Sequence, residues 1–579
     1  MKDRLAFLKD IWRIARPYWF SEDRWAGRGL LAVIVSLSLT LVYITVLLNK
    51  WNNDFYDTLQ NRDLDGFYAQ LLKFTVLAAA YIVVAVYQLY LNQMLQIRWR
   101  RWLTDSFLDR WLSDKVYYAV QMRSAGTDNP DQRIADDIHS FVTQALALSL
   151  GLLESVVTLI SFVGILWGLS GTLSLTVSGR PLDIPGYMVW VALVYAVAGT
   201  WLTKLLGRPL IRLNFDQQRF EADFRFSLVR LRENVEGVAL YRGEKDETAI
   251  FRERFGHVVR NWWSIMKRRK MLGWLINGYA QVALIFPFVA AAPRYFSGAI
   301  QLGGLMQTAS AFGRVQSALS WFVDAYTELA SWKATVDRLT SFEKAMGQAR
   351  ADRAAPEALS PEASLVEELR VNSLDLDLPG GEPLLQGIGL TVRPGQSVLV
   401  SGPSGSGKST LLRAMAGLWP YGRGSIEMPA GKTAFLPQKP YLPMGTLRAV
   451  ASYPTASGGI GDAAIAEALS ACGLPRLASR LDEETYWPQE LSPGEQQRLA
   501  FARLLLQAPD WIFLDEATSA MDEAGERDLY ALLRERLPHA AVVSVGHRRT
   551  LEPFHEARLA VGPRSPGRPG TATLSPIAA

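Results

Sequence analysis

Five stretches in the first three hundred residues carry no charged side chain, at 30–48, 74–95, 155–179, 188–203 and 274–292. Most are long enough to cross the roughly 30 Å hydrocarbon layer of a bilayer as helices. Inside that layer each backbone N–H and C=O needs an internal partner, so the choice narrows to helices or a closed barrel. A sixth stretch, 305–326, is interrupted by Arg314 and Asp324. A buried soluble helix imitates one such stretch easily, but not five in one region. The expectation is a six-helix membrane domain. Mean hydropathy over the 579 residues is only +0.06, so a large polar part must balance these runs. Charge divides the chain the same way: residues 1–350 hold 40 Lys and Arg against 30 Asp and Glu, and the remainder 21 against 26.

Lys and Arg crowd the segment before the first span (Lys2, Arg4, Lys9, Arg13, Arg16, Arg24, Arg28) and the connections after the second and fourth (Arg98, Arg100, Arg101; Arg208, Arg212, 267–270). The positive-inside bias then places both termini in the cytoplasm. The first apolar run begins too late, and lacks the small-residue site, for a cleaved signal peptide. Phe7, Ile11 and Ile14 share one helical face opposite basic residues, as in an elbow lying in the membrane interface. One cysteine, Cys472, excludes an internal disulfide and a cysteine metal cluster, and five histidines make a zinc site unexpected. No nucleic-acid partner is expected.

The two long cytoplasmic connections, 97–139 and 204–272, are charged and helix-favouring, with Phe220, Phe224, Leu228 and Leu231 at helical spacing. At about 1.5 Å per residue they continue as stalks tens of ångströms below the membrane. The expected domains are an N-terminal cytoplasmic segment with the elbow (1–28), the six-helix domain (29–345), an Ala/Pro/Glu-rich linker (346–364), an α/β domain (365–562) and a disordered Gly/Pro/Ser-rich tail (563–579).

Within the α/β part, Gly402-Pro403-Ser404-Gly405-Ser406-Gly407-Lys408-Ser409 fits G-x-x-x-x-G-K-[ST] between an apolar strand (397–401) and a helix opening at Thr410. Glycines let backbone N–H groups turn inward on phosphates, Lys408 adds a point charge, and Ser409 offers a hydroxyl to Mg2+. A nucleoside triphosphate is the expected ligand. A second apolar strand, 511–514, ends in Asp515 and Glu516, suited to holding Mg2+ through water and to deprotonating an attacking water.

The whole of 365–560 resembles the nucleotide-binding domain of ABC transporters, motif by motif and in order. The resemblance implies ATP and Mg2+ as cofactors and ATP hydrolysis as the activity. It makes Gln438 the glutamine that touches Mg2+ and the water, Ser492 and Gly494 the signature, Asp522 the end of the D-loop, and His547 the switch histidine at the γ-phosphate. Pro493 stands where glycine is usual, a substitution the first turn of a helix tolerates. No Phe, Tyr or Trp occurs in 365–401, so the aromatic on which the family stacks adenine is missing, and Leu378 and Pro379 are the expected apolar substitute. In this family each signature caps the ATP of the opposing domain. One copy with six spans is a half-transporter, for which a two-fold homodimer is the simplest closure.

The stretches NNDFYDTLQ at 52–60, DNPDQRI at 128–134, EGVALYRGE at 236–244, GLWP at 417–420 and SVGHR at 544–548 are similar to motifs of one branch. It holds the SbmA/BacA-like peptide-uptake proteins, their ATPase-bearing relatives and the D-subfamily. The branch implies an exporter-type fold in a bacterial inner membrane that imports peptides of antimicrobial type or other bulky hydrophilic solutes such as cobalamin. Export or flipping of a lipid or fatty acyl-CoA is the alternative, and a cargo-free ATP-gated regulator a third. Direction and cargo stay open at this point. Glu154 and Arg314, charges inside apolar stretches, are the candidate cargo contacts. Segment 236–244 is the expected transmitter between the two halves.

Overall fold

Uncharged runs flanked by charged, helix-favouring sequence fold as helices far longer than a bilayer is thick. The computed structural model describes residues 2–123, 129–177, 180–355, 358–364, 367–455, 459–563 and 569–577. Asp128, Leu365, residues 356–357 of the expected linker, and 564–568 and 578–579 of the expected tail lie outside the described residues, as does the side chain of Asp324. The chain forms two units, Met1–Leu108 with Asn129–Phe342, and Asp109–Asp128 with Glu343–Ala579.

The helices of the first half are α1 (Lys2–Trp19), α2 (Arg24–Gln60), α3 (Leu64–Leu112), α4 (Val116–Arg123), α5 (Ile138–Ser170), α6 (Tyr187–Glu233), α7 (Val235–Tyr241), α8 (Glu244–Phe296) and α9 (Leu302–Arg353). Among the described residues five helices are long and apolar enough to cross a membrane, and they contain α2, α3, α5, α6 and α8. The weaker sixth stretch lies in α9, a single 52-residue helix. On the face expected for the elbow, Ile14 is buried and Phe7 meets Trp332 edge-on at 5.8 Å.

The third span departs from expectation. Its helix begins at Ile138 and stops at Ser170, where Gly171 takes φ +64. Residues 172–177, expected to finish the span, instead form strand β1 (Thr172–Val177), which pairs antiparallel with β2 (Arg180–Pro185). Thr-Leu-Ser-Leu-Thr-Val alternates with period two and is rich in β-branched side chains, so strand geometry wins once glycine has ended the helix.

The stalks are helical as expected. Phe224 packs against Phe251 and Phe255, with ring centroids 6.4 and 5.4 Å away, and Asn261 Nδ2 donates to Leu213 O (2.8 Å) and Gln217 Oε1 (2.9 Å), which ties α6 to α8. Two of the branch-type motifs gain a structural reason. Asp57 Oδ1 and Gln60 Oε1 accept the N–H groups of Gly303 (2.8 Å) and Leu302 (2.6 Å), donors that the start of α9 would otherwise leave unpaired. Arg133, and Arg338 of α9, close on the buried carboxylate of Asp137 at 2.8 and 2.5 Å.

The second unit is built on a ten-stranded sheet. Its strands are β3 (Glu362–Ser364), β4 (Leu369–Asp377), β5 (Pro383–Val392), β6 (Ser397–Ser401), β7 (Gly422–Pro429), β8 (Thr433–Leu436), β9 (Trp511–Asp515), β10 (Ala541–Val545), β11 (Ala557–Val561) and β12 (Gly570–Pro576), in the order β3-β7-β4-β5-β12-β11-β6-β10-β9-β8. Strands β6, β10, β9 and β8 are parallel, and β10 is buried throughout, as near-continuous apolar runs require in a sheet covered on both faces. The expected disordered tail is corrected here. Residues 570–576, Gly-Thr-Ala-Thr-Leu-Ser-Pro, form a strand whose 572–576 pair antiparallel with β11 and whose 570–571 pair parallel with β5, because alternating small and β-branched residues between two strand edges gain a ladder of hydrogen bonds. Helix α9 runs to Arg353 and β3 takes up 362–364, so the expected linker is largely structured. Residues of the first long connection belong to this unit too: Lys115 Nζ donates to Ala416 O (2.8 Å), Arg350 Nη2 to Ser113 Oγ (2.6 Å), and Met122 packs on the apolar core.

Candidate active site

Parallel pairing brings the motif residues to one edge of the sheet. Val545 of β10 is in register with Val400 of β6 and Asp515 of β9, and Leu436 of β8 with Leu514. The loops that follow these four strands therefore emerge side by side at the carboxyl ends, the usual place for a ligand in such sheets.

After β6 the chain turns sharply through Gly402 at φ +151. A Cβ there would lie 2.3 Å from Val561 O, so no larger residue fits. The loop ends in helix α10 (Lys408–Met415), whose first turn presents N–H groups free of intrahelical acceptors. Lys408 is buried, its Nζ donating to the carbonyls of Gly402 (2.9 Å) and Pro403 (2.8 Å). Burial lowers its pKa, and the nearby Glu516 and Asp515 carboxylates oppose that fall. Exchanging two neutral carbonyls for phosphate oxygens would relieve the ammonium's desolvation, so the loop suits a polyphosphate anion.

Ser409 Oγ donates to Asp515 Oδ1 at 2.9 Å. Burial pushes the Asp515 carboxyl up, offset in part by that hydroxyl. A hydroxyl and a carboxylate side by side are hard oxygen donors of the kind Mg2+ takes together with water and phosphate. Glu516 sits beyond the strand end at φ +47, a conformation that costs a non-glycine residue about 1–3 kcal/mol. Its N–H donates to Val545 O (3.1 Å), which holds the turn. The carboxylate receives Gln438 Nε2 at 3.0 Å on one oxygen and faces His547 Nε2 at 3.0 Å on the other. Three loops from three strands thus converge on one carboxylate.

Lys408, Ser409, Gln438, Asp515, Glu516 and His547 form this cluster. The expected signature residues stand apart from it: among the described residues, no hydrogen bond links Ser492 or Gly494 to those six side chains. Ser492 is exposed and caps α11, the helix Pro493–Gln507. Its hydroxyl accepts Glu495 N–H (3.3 Å) while Glu495 Oε2 accepts Ser492 N–H (2.9 Å), and Pro493 takes the first helical position. Burial alone would raise Glu495, but hydrogen bonds from Arg476 and Ser492 hold it below the ordinary carboxylate range. Asp522 caps the next helix, α12 (Glu523–Arg536), accepting Gly525 N–H at 3.0 Å.

Three residues that sequence reasoning passed over tie these pieces together. Gln497 Nε2 donates to Gln438 O (3.0 Å) and Ser519 Oγ (3.3 Å), and its Oε1 accepts Ala520 N–H (3.0 Å). Arg548 Nη1 donates to Met521 O (2.8 Å). Buried Glu526 accepts the hydroxyls of Thr518 and Thr550, both at 2.6 Å. Gln497 and Arg548 lie inside motifs visible in sequence, but most of their partners are backbone atoms, which no motif displays. Glu526 carries no sequence signal.

Two matches to known families cover most of the chain. Residues 14–296 match the ABC transporter transmembrane region 2, and residues 385–519 match the ABC transporter ATPase family. An inner membrane ABC transporter ATP-binding protein, YddA of Escherichia coli (strain K12), is 35% identical over 92% of this chain and 94% of its own length. The chain belongs to the ABC transporters. This ABC transporter is a half-transporter of D-subfamily type. The chloroplastic ABC transporter D family member 2 of Arabidopsis thaliana is 34% identical, over 97% of this chain and 88% of that one. The lysosomal cobalamin transporter ABCD4 of Homo sapiens is 28% identical, over 95% and 94%. In fold, a bacterial Atm1-family ABC exporter with ATP bound superimposes with a TM-score of 0.71 at 18% identity, covering 92% of this chain and 93% of its own. A helical membrane domain joined to an ABC ATPase, with ATP hydrolysis coupled to transport, follows from these matches.

The membrane unit contains a cavity of about 700 Å3 between α6, α8 and α9, with Asn52 at its margin. Arg314 lines it; Glu154 is exposed on α5 and is not among the lining residues.

Proposed function

We propose that two copies of this chain form a homodimer in a bacterial inner membrane, with termini and ATPase domains in the cytoplasm, and import a bulky polar solute at the expense of ATP. Peptides and cobalamin-like compounds are the leading cargo classes. Two relatives support this: one is named as an inner membrane transporter protein, the other, similar over nearly its full length, as a cobalamin transporter. Kinship with the SbmA/BacA-like uptake proteins rests on the motifs at 52–60, 128–134 and 236–244.

The observation that carries the chemistry is the hold on Glu516 by Gln438 and His547. In the proposed cycle the 402–409 loop, Lys408 and Thr410 hold the triphosphate. Ser409 and Gln438 would hold Mg2+, with Asp515 reaching it through water, and the ion would supply positive charge against the phosphates. Glu516 takes the proton of the attacking water, and His547 turns from Glu516 to the γ-phosphate. ATP supplies the anhydride bond whose cleavage releases the free energy. Ser492, Gly494 and Asp522 of a second copy close the pocket, so hydrolysis separates the domains and rocks the membrane helices. Motion enters through α7, whose Leu240 and Tyr241 are exposed, and through residues 113–122.

The test uses inside-out and right-side-out vesicles holding the purified protein. ATP-dependent accumulation of labelled peptide or cobalamin in the inward sense is expected, with Glu516→Gln lowering ATP turnover about 100-fold or more while ATP still binds. Movement of acyl-CoA alone, or only outward movement, contradicts the reading.

A further inference from the structure

Between Glu516 and helix α12 the chain runs through a turn on which Ser519, Ala520 and Asp522 are exposed. Among the described residues no backbone N–H reaches the carbonyls of Ser519 or Met521. Arg548, the residue after His547, takes up both: its Nη1 donates to Met521 O at 2.8 Å and its Nη2 to Ser519 O at 3.3 Å. A planar guanidinium holds its donors in a fixed fork that spans two such carbonyls, which the point charge of a lysine ammonium does not match.

Buried Glu526 of α12 sets this guanidinium from behind, its Oε2 lying 3.8 Å from Arg548 Nη1. The same carboxylate accepts the hydroxyls of Thr518, just before the turn, and Thr550, just after His547 and Arg548. A carboxylate taken out of water is kept only when its lone pairs are met, so both segments are fixed to one point. Their other ends meet at Glu516: Ser519 N–H donates to Glu516 O (3.0 Å), and His547 Nε2 faces Glu516 Oε1 at 3.0 Å. Past Arg548 the chain enters the helical turn Arg549–Phe554, with Leu551 N–H on Arg548 O, so the peptide joining His547 to Arg548 has little freedom of its own. A shift of the 519–522 turn therefore pulls on Arg548 and tips the histidine beside it.

We propose that Arg548 is a positioning residue that carries the placement of the 519–522 turn to His547, and so decides whether His547 stands within reach of Glu516 and the γ-phosphate. The proposal rests on the composite-site reading above, in which Asp522 of one copy closes the pocket of the other. A turn pressed into place by a second copy sets the histidine; a turn left free lets it drift. A small drift suffices, since a misplacement of about 1 Å at a reacting centre costs on the order of 100-fold in rate. Turnover is thereby withheld until the opposing ATPase domain is seated.

The test is a double-mutant cycle in MgATP turnover by the full chain in nanodiscs, with initial rates read across ATP concentration. Arg548→Gln is expected to lower kcat about tenfold and leave KM within about twofold, and Arg548→Lys to recover part of the loss. The His547→Ala background is read by single-turnover release of radiolabelled phosphate. There Arg548→Gln is expected to lower the rate by less than about twofold, because the group through which it acts is gone. Losses that multiply in the double variant overturn the proposal, as does an unaltered kcat in Arg548→Gln. Should Arg548→Gln fail to fold, Arg548→Lys runs through the same cycle with a smaller first loss and the same two outcomes. Wild-type turnover with a Hill coefficient of 1 would remove the composite-site reading, whereas the tie between Arg548 and His547 stands or falls by the cycle alone.

Discussion

Two side chains in the ATPase domain show how environment sets chemistry at the scale of one residue. Glu516 occupies a left-handed conformation that glycine would adopt freely, yet it is held there by its own N–H bond to Val545 and by side chains from two other loops. The carboxylate is thereby placed before any nucleotide arrives. His555 illustrates the opposite, a titratable group kept neutral. It is buried, its Nδ1 pairs with Leu551 O at 2.7 Å, and its Nε2 has no partner. Desolvation, aided by Arg534, lowers its pKa from 6.5 to about 4. The unfolded chain therefore binds the proton first, so stability falls as pH drops from 6.5 toward 4, by on the order of 3 kcal/mol in total. Unfolding of the full-length protein in detergent at pH 7 and pH 5 checks this. His555→Gln is expected to flatten the acid side of the profile, and an unchanged slope would show that other groups set it.

At the scale of elements, the α11 helix carries the expected signature residues at its N-terminus and, one turn further on, Gln497, which reaches both the Gln438 backbone and the Ser519–Ala520 segment. Gln497→Ala removes these links without touching nucleotide. ATP affinity is expected to stay within about twofold while turnover falls about tenfold, because the Ser519–Ala520 segment and Gln438 lose their common anchor. Equal losses in affinity and turnover would contradict that role. Much of this architecture was legible from residues alone. Uncharged runs announced helices, and the glycine-rich loop between strand and helix announced the phosphate site. What escaped depends on partners distant in sequence. The strand at 570–576 exists because β11 offers an edge, and a Gly/Pro/Ser-rich tail hides its alternating core. Apolar content continues past Gly171 while its period changes from helix to strand, so composition alone carries the third span beyond the helix end at Ser170. Arg314 and Glu154 looked alike as charges in apolar stretches, and only the packing of α6, α8 and α9 separates them.

The whole molecule is an incomplete engine. The cluster around Glu516 and the exposed Ser492 cap occur in the same chain without a hydrogen bond between them among the described residues, and half-transporters of this family generally act as dimers in a membrane. The account holds that each nucleotide site takes its phosphate loop from one copy and its signature from the other. ATP turnover is therefore expected to rise with a Hill coefficient above 1, read from initial rates in nanodiscs. The most direct measurement compares two mixed dimers, purified through different tags, for trapping of labelled ATP in a Glu516→Gln background. In one, Lys408→Ala is on one chain and Ser492→Arg on the other; in the second, both changes share a chain opposite an otherwise unaltered partner. The account expects the first pairing to trap one nucleotide, because both defects fall in a single composite site, and the second to trap none. Trapping in the second pairing and not in the first would contradict it.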